Sequence, residues 1–134
     1  MNREWALLDT SLWINLIKGK VNKDIQEAVE RLLIEGRVVL TPMIKLELLQ
    51  GADTEEEYRK QEEYLNALPL LSLTEGVWQT GFRLAFTLHQ KRLSIPSWDV
   101  LIASTAIHYD CTLMHSDKDF ETIARNSSLK SRFV

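Results

Sequence analysis

The sequence Trp5-Ala6-Leu7-Leu8-Asp9 is a short apolar run that ends in an acid, and Thr112-Leu113-Met114-His115-Ser116-Asp117 repeats the arrangement near the other end of the chain. Apolar runs of four to eight residues are typical of strands that are buried on both faces. In a parallel sheet, both acids would follow the carboxyl ends of their strands. We therefore take these two runs as the centre of the fold and interpret the rest of the chain around them.

Apolar runs and helical patterns alternate between these two points. We predict strands at residues 5–8, 37–40, 70–73 and 112–115, with a frayed edge strand at 131–134. Helical periodicity predicts helices at residues 11–18, 25–35, 42–51, 54–68, 78–89, 96–109 and 119–125. Ser11 is predicted to cap the first helix, Gly36 to end the second, and Thr41-Pro42 to begin the third with a capping hydroxyl and a proline in the first turn. Strands separated by helices predict right-handed βαβ units and a parallel sheet covered on both faces.

Composition places limits on the class of protein. The length suits one domain over residues 1–134, and the net charge of −3 provides no general cationic field for duplex DNA. A nuclease whose positive charge comes from a bound metal remains compatible with this charge. Cys111 is the single cysteine, so no internal disulfide can form. There is neither a signal-peptide pattern nor an apolar run of the ~20 residues that span a bilayer, so we expect a cytoplasmic protein without membrane contact.

Four acids occupy positions from which one edge of this sheet can be reached. Asp9 and Asp117 follow the first and fourth predicted strands, and Asp99 lies in the first turn of a helix. Open α/β sheets bind ligands beyond the carboxyl ends of their strands. Glu47 lies about six residues into its helix, roughly 9 Å along the axis, but helical side chains lean towards the amino terminus. The four carboxylates can therefore meet at one edge.

Carboxylates that met in this way would need a cation. Two charges ~5 Å apart at an effective dielectric constant of ~20 repel each other by about 3 kcal/mol. Oxygen ligands favour Mg²⁺ or Mn²⁺ over zinc, and Mg²⁺ is commonly bound by one or two carboxylates together with substrate phosphate. The pattern therefore predicts a metal-dependent phosphoryl-transfer site, in which Asp9, Asp99 and Asp117 bind the metal and Glu47 binds it or orients the attacking water.

Each acid also has a purely structural interpretation. Asp9 can be a helix N-cap, and Glu47 can face solvent. The negative charge of Asp99 can interact favourably with the positive end of the helix macrodipole. Of Asp117 and Asp119, one is expected to be a ligand and the other the cap of the last helix. The placement of all the acids at one edge favours the functional interpretation.

The same residues resemble the PIN domain family, specifically the VapC-type ribonuclease toxins of bacterial toxin–antitoxin pairs. The matching pieces occur in family order: Leu8-Asp9-Thr10-Ser11 with Ile14, Thr41-Pro42 with Glu47-Leu48, Ile95-Pro96-Ser97-Trp98-Asp99-Val100-Leu101-Ile102-Ala103, and His115-Ser116-Asp117-Lys118-Asp119-Phe120. No single piece is specific, but the ordered set covers nearly the whole chain.

This resemblance implies a three-layer α/β/α sandwich with a central, mostly parallel sheet of four to five strands. It implies Mg²⁺- or Mn²⁺-dependent cleavage of RNA by a homodimer that a cognate antitoxin neutralises. The positions carried over from the family are the four acids Asp9, Glu47, Asp99 and Asp117 and the neighbouring hydroxyls Thr10 and Ser116, which would cap helices or support the acids. Trp98 departs from the family pattern, in which a small or acidic residue is more usual before the third acid.

Two other functions compete with this one. A PIN-like module that binds RNA or protein without cleaving it is the principal alternative, although such members tend to lose acids and this chain keeps all four. A phosphotransfer receiver domain would need a second acid directly after Asp9, and Thr10 occupies that position.

Overall fold

A computed structural model describes residues 4–134 and contains one four-stranded sheet with helices around it. The strands are β1 (Ala6–Leu8), β2 (Val38–Val39), β3 (Thr112–His115) and β4 (Lys130–Phe133). The helices are α1 (Thr10–Ile17), α2 (Lys23–Ile34), α3 (Pro42–Gln50), α4 (Glu55–Asn66), α5 (Glu75–Gln90), α6 (Ser97–His108) and α7 (Lys118–Arg125). The prediction of one domain over residues 1–134 stays a prediction, and residues 1–3 lie outside the described part of the chain.

The sheet has the order β2-β1-β3-β4, and all of its neighbouring strands are parallel. Leu7 pairs with Val39 on one side and with Leu113 on the other, and all three side chains are completely buried. Burial on both faces explains why β1 and β2 are continuous apolar runs instead of alternating patterns. The predicted α/β sandwich with a parallel central sheet is confirmed.

Two helix ends follow the capping chemistry predicted from the sequence. Thr41 caps α3 by accepting a hydrogen bond on its hydroxyl from the Ile44 amide at 3.2 Å, with Pro42 in the first turn. Gly36 follows α2 with φ of 70°, in the left-handed region that glycine adopts readily, and its amide donates to the Leu33 carbonyl at 3.1 Å.

Three details of the predicted elements were wrong. Residues 70–73 do not form a strand: Leu70 makes one isolated parallel bridge to Leu40, and the Thr74 amide donates to the Ser72 carbonyl at 3.0 Å. The first helix begins at Thr10, with Asp9 instead of Ser11 at the N-cap position. The edge strand begins at Lys130, one residue before the predicted 131–134, and pairs along the whole of β3.

The core lies between the sheet and the helices, and it brings α7 against β3 and β4. Phe120 and Ile123 of α7 are completely buried, as are Leu113 and His115 of β3. β1 and β3 are adjacent, so their carboxyl ends open at the same edge of the sheet. We call this the carboxyl edge. Within the described residues, no helix has both the length and the apolar composition needed to cross a membrane.

Candidate metal site at the carboxyl edge of the sheet

Asp9 is a buried acid at the end of β1. Its backbone holds the N-cap position of α1, but its carboxylate makes no capping hydrogen bond, and the residue is only 8% exposed. The Ser11 hydroxyl donates to Asp9 Oδ2 at 2.8 Å. Burial raises the pKa of Asp9, and the charge of Glu47 raises it further. Helix capping alone therefore does not explain this carboxylate.

Glu47 faces the end of the first strand and does not simply point into solvent. The Thr10 hydroxyl donates to Glu47 Oε1 at 2.7 Å, across 37 residues of sequence. Its neighbour Leu46 takes the outward position and is 55% exposed. The direction of α3 thus brings Glu47 towards Asp9, and the hydroxyl of Thr10 holds the Glu47 carboxylate by a hydrogen bond.

Asp117 and Asp119 share the first turn of α7. Asp117 is the N-cap, and its Oδ1 accepts a hydrogen bond from the Asp119 amide at 2.9 Å. This bond leaves the second carboxylate oxygen of Asp117 without a part in the cap. Ser116, predicted to cap or to support an acid, is exposed, and the capping oxygen comes from Asp117.

Asp99, Asp117 and Asp119 bring one carboxylate oxygen each to within 4.8 Å of one another. We call these three residues the acid cluster. The pKa of Asp99 is raised to about 6, first by burial and then by the charges of Asp117, Asp9, Asp119 and Glu47. Each of the four other acids at this edge therefore contributes to the raised pKa of Asp99.

The donor set fits a hard divalent cation. It consists of carboxylate oxygens at mutually short distances, as Mg²⁺ or Mn²⁺ requires, and it contains no sulfur or imidazole ligand. Burial first, and then the charges of the neighbouring acids, raise the pKa of Asp99, and a bound cation would offset both effects. Asp99, Asp117 and Asp119 could hold the ion directly, with Asp9 and Glu47 close enough to contribute charge.

Asp119 is an acid for which the sequence left two roles open. The sequence predicted that either Asp117 or Asp119 would be a ligand and the other a cap. In the structure Asp117 caps α7 and also belongs to the acid cluster, while Asp119 lies in the cluster beside it. The sequence signal for Asp119 was the spacing Asp-x-Asp at the start of a helix. An acid at the N-cap and an acid at the second helical residue both lie at the amino-terminal end of that helix.

Comparison with known proteins decides the family. The model of the PIN domain family matches residues 6–126. The chain belongs to the PIN domain family. The resemblance found in the sequence is thereby confirmed, and the PIN fold is the one seen here.

Several proteins similar to this PIN domain are named as ribonucleases. VapC ribonuclease Mb1587 of Mycobacterium bovis is 29% identical over 135 residues, which cover 93% of this chain and 96% of that protein. Ribonuclease VapC51 of Mycobacterium tuberculosis is 31% identical over 121 residues, which cover 88% of this chain and 84% of that protein. The structure of VapBC-1 from nontypeable Haemophilus influenzae matches with a TM-score of 0.79 and 25% identity, covering 96% of each chain.

Proposed function

We propose that this PIN domain is a metal-dependent endoribonuclease, the toxin of a type II toxin–antitoxin system, which hydrolyses phosphodiester bonds in RNA. The observation that carries the proposal is the acid cluster at the carboxyl edge, where the pKa of Asp99 reaches about 6. The names of the similar proteins, VapC ribonucleases, support the same activity. Because RNA is the substrate, we infer a cytoplasmic location, which cell fractionation would check.

The proposed metal is Mg²⁺ or Mn²⁺, held by Asp99, Asp117 and Asp119 with Asp9 beside them. A divalent ion at this place supplies positive charge for the phosphate and lowers the pKa of a bound water. Glu47 is proposed to bind the metal or to orient that water. The Thr10 hydroxyl occupies Glu47 Oε1, which fixes the carboxylate and leaves Oε2 free for such a contact.

Two further hydrogen bonds hold acids at this edge. The Ser11 hydroxyl donates to Oδ2 of Asp9, and the Asp119 amide donates to Oδ1 of Asp117. Asp9, Glu47 and Asp117 are thus each fixed by a neighbour through one carboxylate oxygen. With a pKa of about 6, Asp99 is mainly ionised at pH 7.5 and can accept a cation without first losing a proton.

An RNA cleavage assay tests this function. Purified protein is expected to cleave single-stranded RNA with Mg²⁺ or Mn²⁺ and to lose that activity in EDTA. Asp9→Asn should reduce the rate by at least about 100-fold, since even the partners of metal ligands typically contribute about 10–100-fold. Asp24→Asn, an exposed acid in the first turn of α2, is the matched control and should keep the full rate.

Full cleavage in EDTA, or by Asp9→Asn, would overturn the proposal. Mn²⁺ binding without cleavage of any RNA would favour the competing function of a non-catalytic binding module.

We further propose that the chain forms a homodimer and binds a cognate antitoxin. An apolar groove of about 390 Å³ lies between α1, α2 and α4, and Trp13, Leu16, Val29, Leu33 and Tyr64 are among its lining residues. The indole Nε1 of Trp13 and the amide oxygen of Gln61 are buried there without a hydrogen-bond partner within residues 4–134. A partner segment with apolar side chains and a few polar groups would complete this surface.

The homodimer is supported by a second apolar surface, on α5. Trp78, Phe82 and Phe86 lie on this helix and are 42%, 60% and 52% exposed. Their exposure excludes the core, and exposed aromatic residues at helical spacing are typical of protein interfaces.

Co-expression tests both partners in one experiment. The chain is expected to co-purify with the product of a neighbouring reading frame for a small DNA-binding protein. Light scattering on the complex should give a mass that contains two copies of this chain. Tyr64→Glu in the groove should abolish binding of the antitoxin and leave the homodimer intact. Phe82→Glu on α5 should disrupt the homodimer and leave binding of the antitoxin intact. A monomer at all concentrations, or no effect of either substitution, would contradict the proposal.

A further inference from the structure

His115 is a completely buried polar residue beside the acid cluster. It is the last residue of β3, two positions before Asp117. The rings of Phe120 and Phe133 meet it edge-on, with centroid distances of 5.3 and 5.7 Å. An imidazole enclosed in this way is unfavourable unless its nitrogens find partners. The contacts of the two ring nitrogens therefore show what the residue does.

Nδ1 of His115 accepts a hydrogen bond from the backbone amide of Asp117 at 3.1 Å. In the neutral ring, the proton then resides on Nε2. Nε2 lies 3.3 Å from Glu121 Oε1, although the two groups are not aligned for a hydrogen bond. The Nδ1 contact satisfies both the distance and the angle of a hydrogen bond, whereas the contact with Glu121 is electrostatic only.

The hydrogen bond to Nδ1 stabilises the turn between β3 and α7, and this turn positions Asp117 and Asp119. The amide it fixes belongs to Asp117, whose Oδ1 in turn accepts the amide of Asp119 at 2.9 Å. A continuous path thus runs from the ring of His115 through the peptide of Asp117 to its carboxylate and on to Asp119. Both acids belong to the cluster, together with Asp99 from α6.

The carboxyl-terminal strand completes the enclosure of the ring. His115 pairs with Phe133 in the parallel ladder, and the Val134 amide donates to the His115 carbonyl at 2.8 Å. Phe120 closes the ring from the side of α7. With both sides closed, the imidazole cannot easily rotate away from the Asp117 amide.

We propose that His115 is a positioning residue for the acid cluster: its Nδ1 fixes the peptide at Asp117 and so directs the carboxylates of Asp117 and Asp119 towards one ion. This inference rests on the proposed function, in which the cluster binds a divalent metal. It assigns His115 no contact with the RNA or with the reacting atoms.

Substitutions that keep or displace the acceptor atom test the proposal. In His115→Asn, the amide oxygen stands the same number of bonds from the backbone as Nδ1 and can accept the Asp117 amide. In His115→Gln, one extra methylene moves the oxygen away, and His115→Leu has no acceptor. Glu121→Gln is the control on the other side of the ring, because it leaves the Nδ1 bond untouched.

Two measurements are made on each variant that remains folded by circular dichroism. The first is the Mn²⁺ affinity by calorimetry, and the second is hydrogen exchange of the Asp117 amide in metal-free protein by NMR. His115→Gln and His115→Leu are expected to bind Mn²⁺ about 10-fold or more weakly, as losses of such supporting contacts do. Their Asp117 amide should exchange up to about 10-fold faster, as expected when a hydrogen bond is lost. His115→Asn and Glu121→Gln should remain within about 3-fold of the original protein in both measurements, since neither loses that bond.

Equal losses in His115→Asn and His115→Gln would overturn the proposal, because general loss of packing would then explain both. Unchanged Mn²⁺ affinity in His115→Gln and His115→Leu would also overturn it. If the original protein bound no Mn²⁺, the proposed function would fail separately, and the exchange of the Asp117 amide would still decide whether His115 holds this turn.

Discussion

Replacing Asp99 with asparagine is expected to abolish RNA cleavage while making the metal-free protein more stable. The substitution removes one of the three carboxylates in the acid cluster, and we expect the cleavage rate to fall by at least about 100-fold. Stability should change in the opposite direction, because burial and four neighbouring acids raise the pKa of Asp99 to about 6. This combination of opposite effects is typical of functional sites.

The sign and the size of the stability effect follow from proton linkage. The folded pKa of Asp99, about 6, lies above its ordinary value of 3.8, so the folded state binds the proton more tightly than the unfolded state. The free energy of unfolding of the metal-free protein therefore falls as the pH rises from about 4 to about 6, and the penalty is complete above that range. The pKa difference corresponds to about 3 kcal/mol, which solvent screening at this half-buried residue reduces to about 1–2 kcal/mol.

Urea denaturation in EDTA between pH 4.5 and 7.5 measures this effect beside the cleavage assay. Asp99→Asn should be more stable than the original protein at pH 7.5, and the difference should shrink as the pH falls to 4.5. The control is Asp53→Asn, which removes an exposed acid from the loop between α3 and α4 and should change neither activity nor stability. An Asp99→Asn protein that cleaved RNA normally would exclude Asp99 from the proposed mechanism.

Replacing Phe120 with alanine is expected to cause a large loss of stability, about 3–5 kcal/mol. Phe120 is completely buried in α7, one residue after Asp119, and it packs edge-on against His115. Alanine loses the free energy of burying the ring and also leaves a cavity that the close-packed interior cannot fully fill. Because α7 carries Asp119 and is capped by Asp117, partial loosening of this helix should weaken Mn²⁺ binding as well.

The chain offers a matched control for this substitution. Phe133 meets the same His115 ring edge-on but is 57% exposed. Phe133→Ala should therefore cost about 1 kcal/mol, in proportion to the smaller apolar area it buries. Free energies of unfolding from urea denaturation at one pH compare the two variants directly. Equal costs would show that burial of Phe120 in the core is not what anchors α7.

Local chemistry in the sequence determined the elements that the structure confirms. The runs at residues 5–8 and 112–115 became strands, because the largely apolar residues in them suit positions that are buried on both faces of a sheet. Thr41-Pro42 began a helix through a hydroxyl cap, and Gly36 ended one through its left-handed backbone. Each of these signals acts within a few residues of chain, so it can be interpreted without knowing the rest of the molecule.

The predicted strand at residues 70–73 failed for a reason that lies outside its own sequence. Strand β2 contains only two residues, and Leu40, directly after it, is the single partner left for Leu70. Leu71 is buried while Leu70 is 47% exposed, so the segment packs against the core without extending the sheet. Apolar character shows that a segment is buried, but pairing requires a neighbouring strand long enough to receive it.

The sequence by itself indicated that Asp9 and Asp117 follow two strands of one parallel sheet, and therefore that both acids lie at the same edge of that sheet. The structure showed that these two strands are adjacent. Only the tertiary structure decided that Glu47 faces Thr10, that Asp119 joins the acid cluster, and that His115 lies beneath the turn that carries it. The physical reason is the separation along the chain of the residues that determine each feature. Strand direction and helix caps depend on neighbouring residues, whereas the direction of a helical side chain depends on how its helix packs against a sheet formed from distant parts of the chain.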